Sequence, residues 1–403
     1  MRRWKKVALA LLCLLVLSQA PFAYRRYRLG SLRAAIDRLN ASRAAAVPAD
    51  DPYADYAGVF HVHSALGGHS RGTFDEIVEA ARANGLAFVV MTEHPSRHVD
   101  TSEATLRGLR DGVLFVNGSE LAAASGERAF ALPGLPSTDA PDAQALVNQI
   151  RSQGRLPVLA YPEEIRDWGL TGYDAIEVYN LFTDAKDASY ALLFFDGLWS
   201  YGRHAELLFT NFYDRPQANL QRWDALTAGG RRLSAVAGND AHSNVGLDFG
   251  DRTGKSLFAV KLDPYERSFR VVRNHVLLER GQALDASTLL EALRRGRSYI
   301  AFDLFGDSTG FRFSAEGPGL RATMGDEVAL PHGAELRLRV AAPAAVSVLL
   351  YKDGSVVRRA EGSSVHEFGV SERGVYRVEV YAEALRDHLG ERPWIISNPI
   401  YVR

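Results

Sequence analysis

The chain has 403 residues, with 47 Lys+Arg against 48 Asp+Glu, 11 His and one Cys. Hydrophobic residues at 47% and charged residues at 24% exclude wholesale disorder, and a formal charge of -1 excludes a nucleic-acid binder that works by bulk electrostatics. The single thiol, Cys13, excludes a disulfide framework, a cysteine-based zinc site and a cysteine nucleophile in everything that follows it.

The start reads Met1-Arg2-Arg3-Trp4-Lys5-Lys6, then an apolar run over 7–17, with basic residues again at Arg25, Arg26 and Arg28. A basic and then apolar start has the geometry of a secretion signal. Extended to Ala23, the run reaches the lower limit for crossing a bilayer. Cleavage after Ala20 would put Pro21 in an unfavourable position, and Leu12 before Cys13 does not suit a lipoprotein. Residues 1–28 therefore read as an uncleaved signal anchor, with a cleaved signal peptide as the alternative. The expected location is the cell envelope: anchored in the inner membrane and facing the periplasm, or secreted if the signal is removed. Without its basic start the chain is mildly acidic, so the N-terminal segment is the expected membrane contact. Residues 29–56 read as a short amphipathic helix and a linker ending near Asp50-Asp51-Pro52.

Strands and helices then alternate. Strands are expected over 59–63, 87–91, 113–116, 130–132, 156–160, 175–179 and 233–237. Helices are expected over 74–84, 105–109, 143–153, 220–228 and 287–295, several closed by Gly85, Gly154, Gly229-Gly230 and Gly296. Short apolar strands alternating with helices point to a parallel α/β sheet or barrel over 57–308. No Gly-x-Gly-x-x-Gly follows the first strand, so a dinucleotide fold lacks its marker. From about 309 the pattern turns β-rich, with a hairpin signal at Lys352-Asp353-Gly354-Ser355. Residues 309–403 read as a small antiparallel β-sandwich.

Histidines and acids gather where these strands end. His61-Val62-His63 closes the first, and alternation along a strand turns both imidazoles to one side. Thr92-Glu93-His94, Gly118-Ser119-Glu120 and Gly238-Asn239-Asp240-Ala241-His242 each follow an apolar strand, and His69 lies in a Gly-rich loop. Any one cluster is an ordinary polar cap. Four of them share one face, because the C-terminal ends of parallel strands lie together where active sites form. Imidazole and carboxylate are donors for Zn, Mn and Fe, so His61, His63, His69, His94, Glu120, Asp240 and His242 are candidate metal ligands.

The order His-x-His-Ser, Thr-Glu-His, Gly-x-Glu and Gly-x-Asp-Ala-His resembles the polymerase-and-histidinol-phosphatase (PHP) superfamily, in particular its CehA/McbA-like metallohydrolase branch. Ile176-Glu177-Val178-Tyr179-Asn180, Gly296-Arg297-Ser298-Tyr299 and Pro393-Trp394-Ile395-Ile396-Ser397-Asn398-Pro399 add to the likeness. The resemblance implies a distorted seven-stranded β/α barrel with up to three metals. It implies one ion on His61, His63, Glu120 and Asp240, and another on His69, His94 and His242. The histidines of a third site are replaced, by Arg128 or Ala129 in Arg128-Ala129-Phe130-Ala131-Leu132 and by Tyr161 in Ala160-Tyr161-Pro162. Two divalent ions and no third are therefore expected, with His204 as a conceivable substitute ligand. Arg128, Tyr161 and Asn180 are the expected substrate-binding residues, Arg128 as the grip for an anionic small molecule.

Two ions holding a bridging hydroxide suit attack on a phosphoester. Glu93 and Glu177 are the candidate proton donors. Ser64 has no base free of metal, so a serine mechanism is not expected. The function expected is a metal-dependent phosphoesterase. Hydrolysis of a carbamate, ester or amide at the same site is the alternative, as is an envelope-anchored binding protein on a catalytically degenerate barrel. The sequence carries no signal for an oligomeric state.

Overall fold

A computed structural model describes residues 3–43, 51–186, 189–244, 246–250, 256–317 and 320–403. Of the helix and linker expected over 29–56, residues 44–50 lie outside them. Helices α1 (Arg3–Ser18) and α2 (Ala20–Ala41) open the chain. Next come β1 (Tyr53–Val62), α3 (Phe74–Ala83), β2 (Phe88–Met91), α4 (Thr101–Ala104), β3 (Gly108–Arg110), β4 (Val113–Val116), β5 (Ser119–Ala122) and β6 (Arg128–Leu132). Then follow α5 (Ala143–Ser152), β7 (Leu156–Leu159), β8 (Ala175–Asn180), α6 (Leu181–Lys186), α7 (Tyr190–His204), α8 (Gln217–Ala228) and β9 (Ser234–Gly238). After β10 (Gly246–Gly250) and β11 (Ser256–Lys261) stand α9 (Tyr265–Val271), β12 (Arg273–Glu279), α10 (Ala286–Arg295) and β13 (Ser298–Ala301). The last part holds β14 (Arg312–Gly317), β15 (Leu320–Thr323), β16 (Glu327–Val328), β17 (Leu336–Lys352), β18 (Ser355–Val370), β19 (Gly374–Ala382), α11 (Arg386–Leu389), β20 (Ile395–Ser397) and β21 (Ile400–Val402).

The fold is mixed α/β. Strands β1, β2 and β4 are parallel neighbours, as are β7, β8 and β9. The sheets are not purely parallel, because β12 runs antiparallel to β1 and β6 antiparallel to both β5 and β7. Among the described residues one sheet has fourteen strands and a second, β5-β6-β7-β8-β9, has five; neither closes on itself. Single bridges, Val62 to Ala241 and Glu93 to Ser119, link the two at the strand ends. Beneath those ends Phe60, Val90, Phe130, Val158, Ala175 and Val236 form one apolar cluster drawn from both sheets. Phe60 and Phe130 meet edge to face at 5.2 Å.

Local sequence explains most element ends. Thr73 and Glu76 form a reciprocal capping box on α3, and Asp285 with Thr288 forms another on α10. Gly85, Gly154 and Gly296 take positive φ just past their helices, as expected of helix stops. Asp353 and Gly354 both take positive φ, which makes the expected tight hairpin between β17 and β18.

Three expectations need correction. β1 begins at Tyr53, not at residue 59, because its first half pairs with β12 from Tyr53–Glu279 to Gly58–Asn274. The helix expected over 105–109 is instead the single turn α4, capped by Asp100, and the chain turns at Gly108 into β3. The C-terminal strands are antiparallel except for β16 beside β21, and they are not set apart: β20 pairs with both β19 and β13, which makes them part of the fourteen-stranded sheet.

A buried ion network ties α8 to this region. Arg377 grips Asp224 through Nε (2.6 Å) and Nη2 (2.7 Å) and reaches Glu379 through Nη1 (2.8 Å), while Arg215 binds Glu379 from the other side. Burial opposes the charge on Glu379, yet the two guanidiniums hold its carboxyl down to about 2. Replacing Arg377 by Met leaves the buried Asp224 without its guanidinium and Glu379 with Arg215 alone, and should cost ~3–5 kcal/mol in urea unfolding. A loss below ~1 kcal/mol would show a network without net weight. Since the folded pKa of Glu379 lies below its ordinary value, its contribution is full above that value and should disappear as pH falls toward 2.

Candidate metal centre

The bridged strand ends carry the site. β1 supplies His61 and, one step past its end, His63; β2 leads to Glu93 and His94; β5 carries Glu120 and β6 Arg128. Tyr161 follows β7, Glu177 and Asn180 lie on β8, and Asp240 and His242 follow β9.

The backbone here is unusual. His61, Tyr161 and Asp240 all have positive φ, at 67°, 46° and 47°. An aromatic residue in this region is an outlier, and such strain concentrates at functional sites. The His61–His63 pair does converge, with ring centroids 5.0 Å apart, but not by simple alternation. The register of β1 against β2 slips between Phe60 and Val62, so a bulge at His61 turns its ring inward. Gly238 shows why a glycine precedes Asp240: a Cβ there would lie 1.8 Å from Glu177 Oε1.

His61 is the hub. Its Nδ1 lies 2.6 Å from Glu177 Oε1, and its Nε2 3.0 Å from Glu120 Oε2 and 3.4 Å from Asp240 Oδ1. His63 Nε2 lies 3.3 Å from Glu120 Oε2 and 3.5 Å from Asp240 Oδ1. The His63 ring stacks between those of His94 (4.7 Å) and His242 (4.4 Å). His69 stands edge-on to both, at 5.1 and 5.4 Å. All seven candidate ligands are thus brought together. Burial works against charge throughout: it drives His63 down to about 3, with help from His61 and His242. At His61 burial is overcome by Asp240, Glu177 and Glu120, which push the imidazole up, and Glu120 in turn is held well below the carboxylate range by His61 and His63.

The remaining expected residues serve these ligands. Arg128 binds Glu120 Oε1 (2.8 Å) through Nη1, and its Nε and Nη2 grip Glu164. Its guanidinium lies 3.6 Å over the Tyr161 ring, and a quarter of the side chain stays exposed. Tyr161 donates its hydroxyl to Asp240 Oδ2 (2.7 Å). Burial and the charges of Asp240, Glu120 and Glu177 push this phenol far up, so it remains a neutral donor and not a ligand. Asn180 Nδ2 lies 3.4 Å from Glu177 Oε2 and from Asp240 Oδ2, while its Oδ1 caps α6. The anion grip expected of these three is therefore largely turned on the protein's own acids.

Glu93 and Glu177 also differ from expectation. Both are buried, Glu177 against His61 and Glu93 against the backbone N–H and hydroxyl of Ser64 and the hydroxyl of Thr105. Each positions a neighbour instead of facing open space. His204 packs at the end of α7 beside Gly30 of α2. Glu164 and Phe182, whose ring lies 5.8 Å from that of His242, carry no signal in the sequence.

Among the described residues two groupings have donor atoms within 4.8 Å of one another: His63, His94 and His242, and His61, His63 and Asp240. Both ring nitrogens of His63, Asp240 Oδ1 and His242 Nε2 are buried without a hydrogen-bond partner. Buried polar atoms are normally satisfied, so four such atoms on one small surface fit a cation.

Zn or Mn should therefore raise the melting temperature of the full chain, by the equivalent of about 2.7 kcal/mol at a hundredfold excess over Kd. His63→Ala, which removes a member of both groupings, should abolish the shift; equal shifts in the two proteins would show that metal binds elsewhere. No protein-family model matches the chain, and no curated protein matches it. Among solved structures it is similar to PsfC from Pseudomonas syringae PB-5123, with 16% identity over 62% of this chain and 91% of the other and a TM-score of 0.39, a likeness too loose to define a shared fold.

Proposed function

We infer that the chain is an envelope-anchored, metal-dependent hydrolase of the PHP type, a phosphoesterase in the CehA/McbA-like branch. The observation that carries this reading is the set of partnerless buried donor atoms on His63, Asp240 and His242 within seven converging ligands. His61, His63, Glu120 and Asp240 would hold one divalent ion, and His69, His94 and His242 a second, of Zn, Mn or Fe. Bound there, such ions supply Lewis acidity and lower the pKa of water toward neutrality. The chain's own residues orient the ligands: Glu177 fixes the tautomer of His61 through Nδ1, and Glu93 fixes the turn at Ser64 that follows His63. The two bridges at the strand ends support reading the sheets as a distorted seven-stranded barrel.

Arg128 and Tyr161 fill the place of a third ion. The guanidinium takes Glu120 Oε1 and the phenol takes Asp240 Oδ2, the oxygens turned away from the histidine cluster. This plug favours two ions. It is also the observation that favours a second reading, a degenerate barrel that binds without turnover. Hydrolysis of a carbamate, ester or amide would use the same donors.

The N-terminal helices support an anchor. Residues 3–41 form one helical stretch, apolar and long enough to cross a membrane near its start. Cleavage after Ala20 would cut next to contacts the fold uses, Gln19 with Trp199 (3.1 Å) and Phe22 with Phe195 (5.0 Å).

Elemental analysis of the purified chain should find about two ions, and Arg128→His with Tyr161→His should add one more. Of a phosphodiester, a phosphomonoester and an aryl carbamate, the phosphoesters should be cleaved. Asp240→Ala and His94→Ala should each lower kcat by orders of magnitude with modest loss of stability. Wild-type turnover in both variants would reject the two-ion mechanism, and no hydrolysis of any substrate by the metal-loaded chain would select the binding protein.

A further inference from the structure

Helix α7 has an apolar face that none of the described residues covers. Phe194 and Leu198, one helical turn apart, are 59% and 67% exposed, while Asp196 and Ser200 are buried on the opposite side; Leu192, one turn before Asp196, is 46% exposed at the start of the helix. The inner face packs on α2. Phe22 meets Phe195 at 5.0 Å, Arg25 pairs with Asp196 at 2.8 Å, and a Cβ on Gly30 would lie 3.7 Å from His204. Contacts that advance together along both helices mean that α7 and α2 run in the same direction. The start of α7 therefore lies level with the apolar residues that precede Phe22, and its end lies level with the polar part of α2.

The two helices also change character at the same level. On the first, the apolar stretch gives way to Tyr24, Arg25, Arg26, Tyr27 and Arg28, with both tyrosines exposed. On α7, Leu192, Leu193, Phe194, Phe195 and Leu198 give way to Trp199, Tyr201 and Arg203. Arg26 bonds the backbone oxygen of Trp199, which places the two aromatic and basic bands side by side. Aromatic residues with flanking arginines mark the boundary between hydrocarbon and water. A soluble partner would account for an exposed apolar face, but not for a polarity boundary in register with that of an adjacent membrane-length helix whose apolar start, α1, is exposed throughout.

We propose that α7 is a second membrane contact, its N-terminal half inserted into the lipid leaflet beside the anchor with Phe194 and Leu198 on its outer face, and Leu192 near its tip, toward the acyl chains. This rests on the reading of α1 as a membrane anchor. The consequence concerns the site: α6 and α7 leave β8 directly after Asn180, and Phe182 lies against His242, so the metal face is tethered close to the membrane surface.

The test uses the full chain in vesicles of phosphatidylcholine and phosphatidylglycerol, carrying one nitroxide label at a time. The sites are native Cys13, and Phe194→Cys, Leu198→Cys or Val356→Cys in a Cys13→Ser background. All three substituted side chains are exposed, so folding is spared. Collision with oxygen relative to a water-soluble nickel chelate should be several-fold higher at 194 than at 356, on the β17–β18 hairpin. It should approach the value at Cys13 and be lower at 198 than at 194. A label at 194 as nickel-accessible as that at 356, with Cys13 in lipid, overturns the second contact and leaves the anchor standing. Cys13 itself in water removes the anchor and this inference with it.

Discussion

Two buried carboxylates, Glu120 and Asp240, meet around one imidazole, and the rest of the site is arranged to make that possible. Each lies within 3.0–3.4 Å of His61 Nε2. Like charges this close in a low-dielectric interior cannot both persist without compensation. On one flank the compensation is built in: Arg128 on Glu120 and the Tyr161 hydroxyl on Asp240. On the other flank stand only imidazoles, which burial keeps neutral at His63 and drives down at His94 and His242. The two carboxylates thus draw compensation from Arg128 and from His61, which they push up, while the flank of His63, His94 and His242 adds none. That asymmetry is the physical argument for a cation at the histidines and against one beside the arginine.

Holding this geometry requires a backbone the chain would not otherwise choose. Positive φ at His61, Tyr161 and Asp240 costs ~1–3 kcal/mol apiece and persists only where the surroundings over-determine it. The surroundings do so from below and from the side. Phe130 packs edge-on against both Phe60 and His61, which seats the bulge of β1 on the shared apolar cluster. From the side, Asn239 Nδ2 bonds the backbone oxygens of Ser268 and Val272, and the backbone N–H groups of Asn239 and Ala241 bond those of Phe60 and His61. The strands carry the candidate ligands, and their hydrogen-bonded ends fix the direction of each.

Much of this was legible in the sequence, and what was not has identifiable causes. The alternation of short apolar strands with Gly-terminated helices pointed to the α/β class, and the four clusters at strand ends pointed to the histidines and acids that converge, because strand ends are where the apolar period stops. The bulge at His61 left no mark, since one extra residue in a strand leaves the apolar pattern of its neighbours intact. The antiparallel β6 and β12 were hidden because a buried strand reads the same in either direction. Glu164 was missed because its only role is toward Arg128, 36 residues away. Likewise α7 carried its message in which of its apolar residues pack and which do not, a distinction invisible before α2 is placed beside it.

Arg128 changes what such a site can do. A divalent ion beside Glu120 and Asp240 would carry two charges and could activate water; a guanidinium carries one, cannot bind a nucleophile and keeps its proton at any accessible pH. What it retains is the ability to neutralise an anion in a fixed plane. Its three bonds to Glu120 and Glu164 leave part of its edge open, and the Tyr161 ring beneath it keeps that edge from rotating away. On the proposed reading the labour is therefore divided across the site, with any activation of water confined to the histidine flank and charge neutralisation on the arginine flank. A third ion is released and exchanged with its surroundings, whereas a tethered arginine is present in every copy of the folded chain. Its presence fixes the charge of that flank regardless of metal supply, and limits the chemistry there to binding.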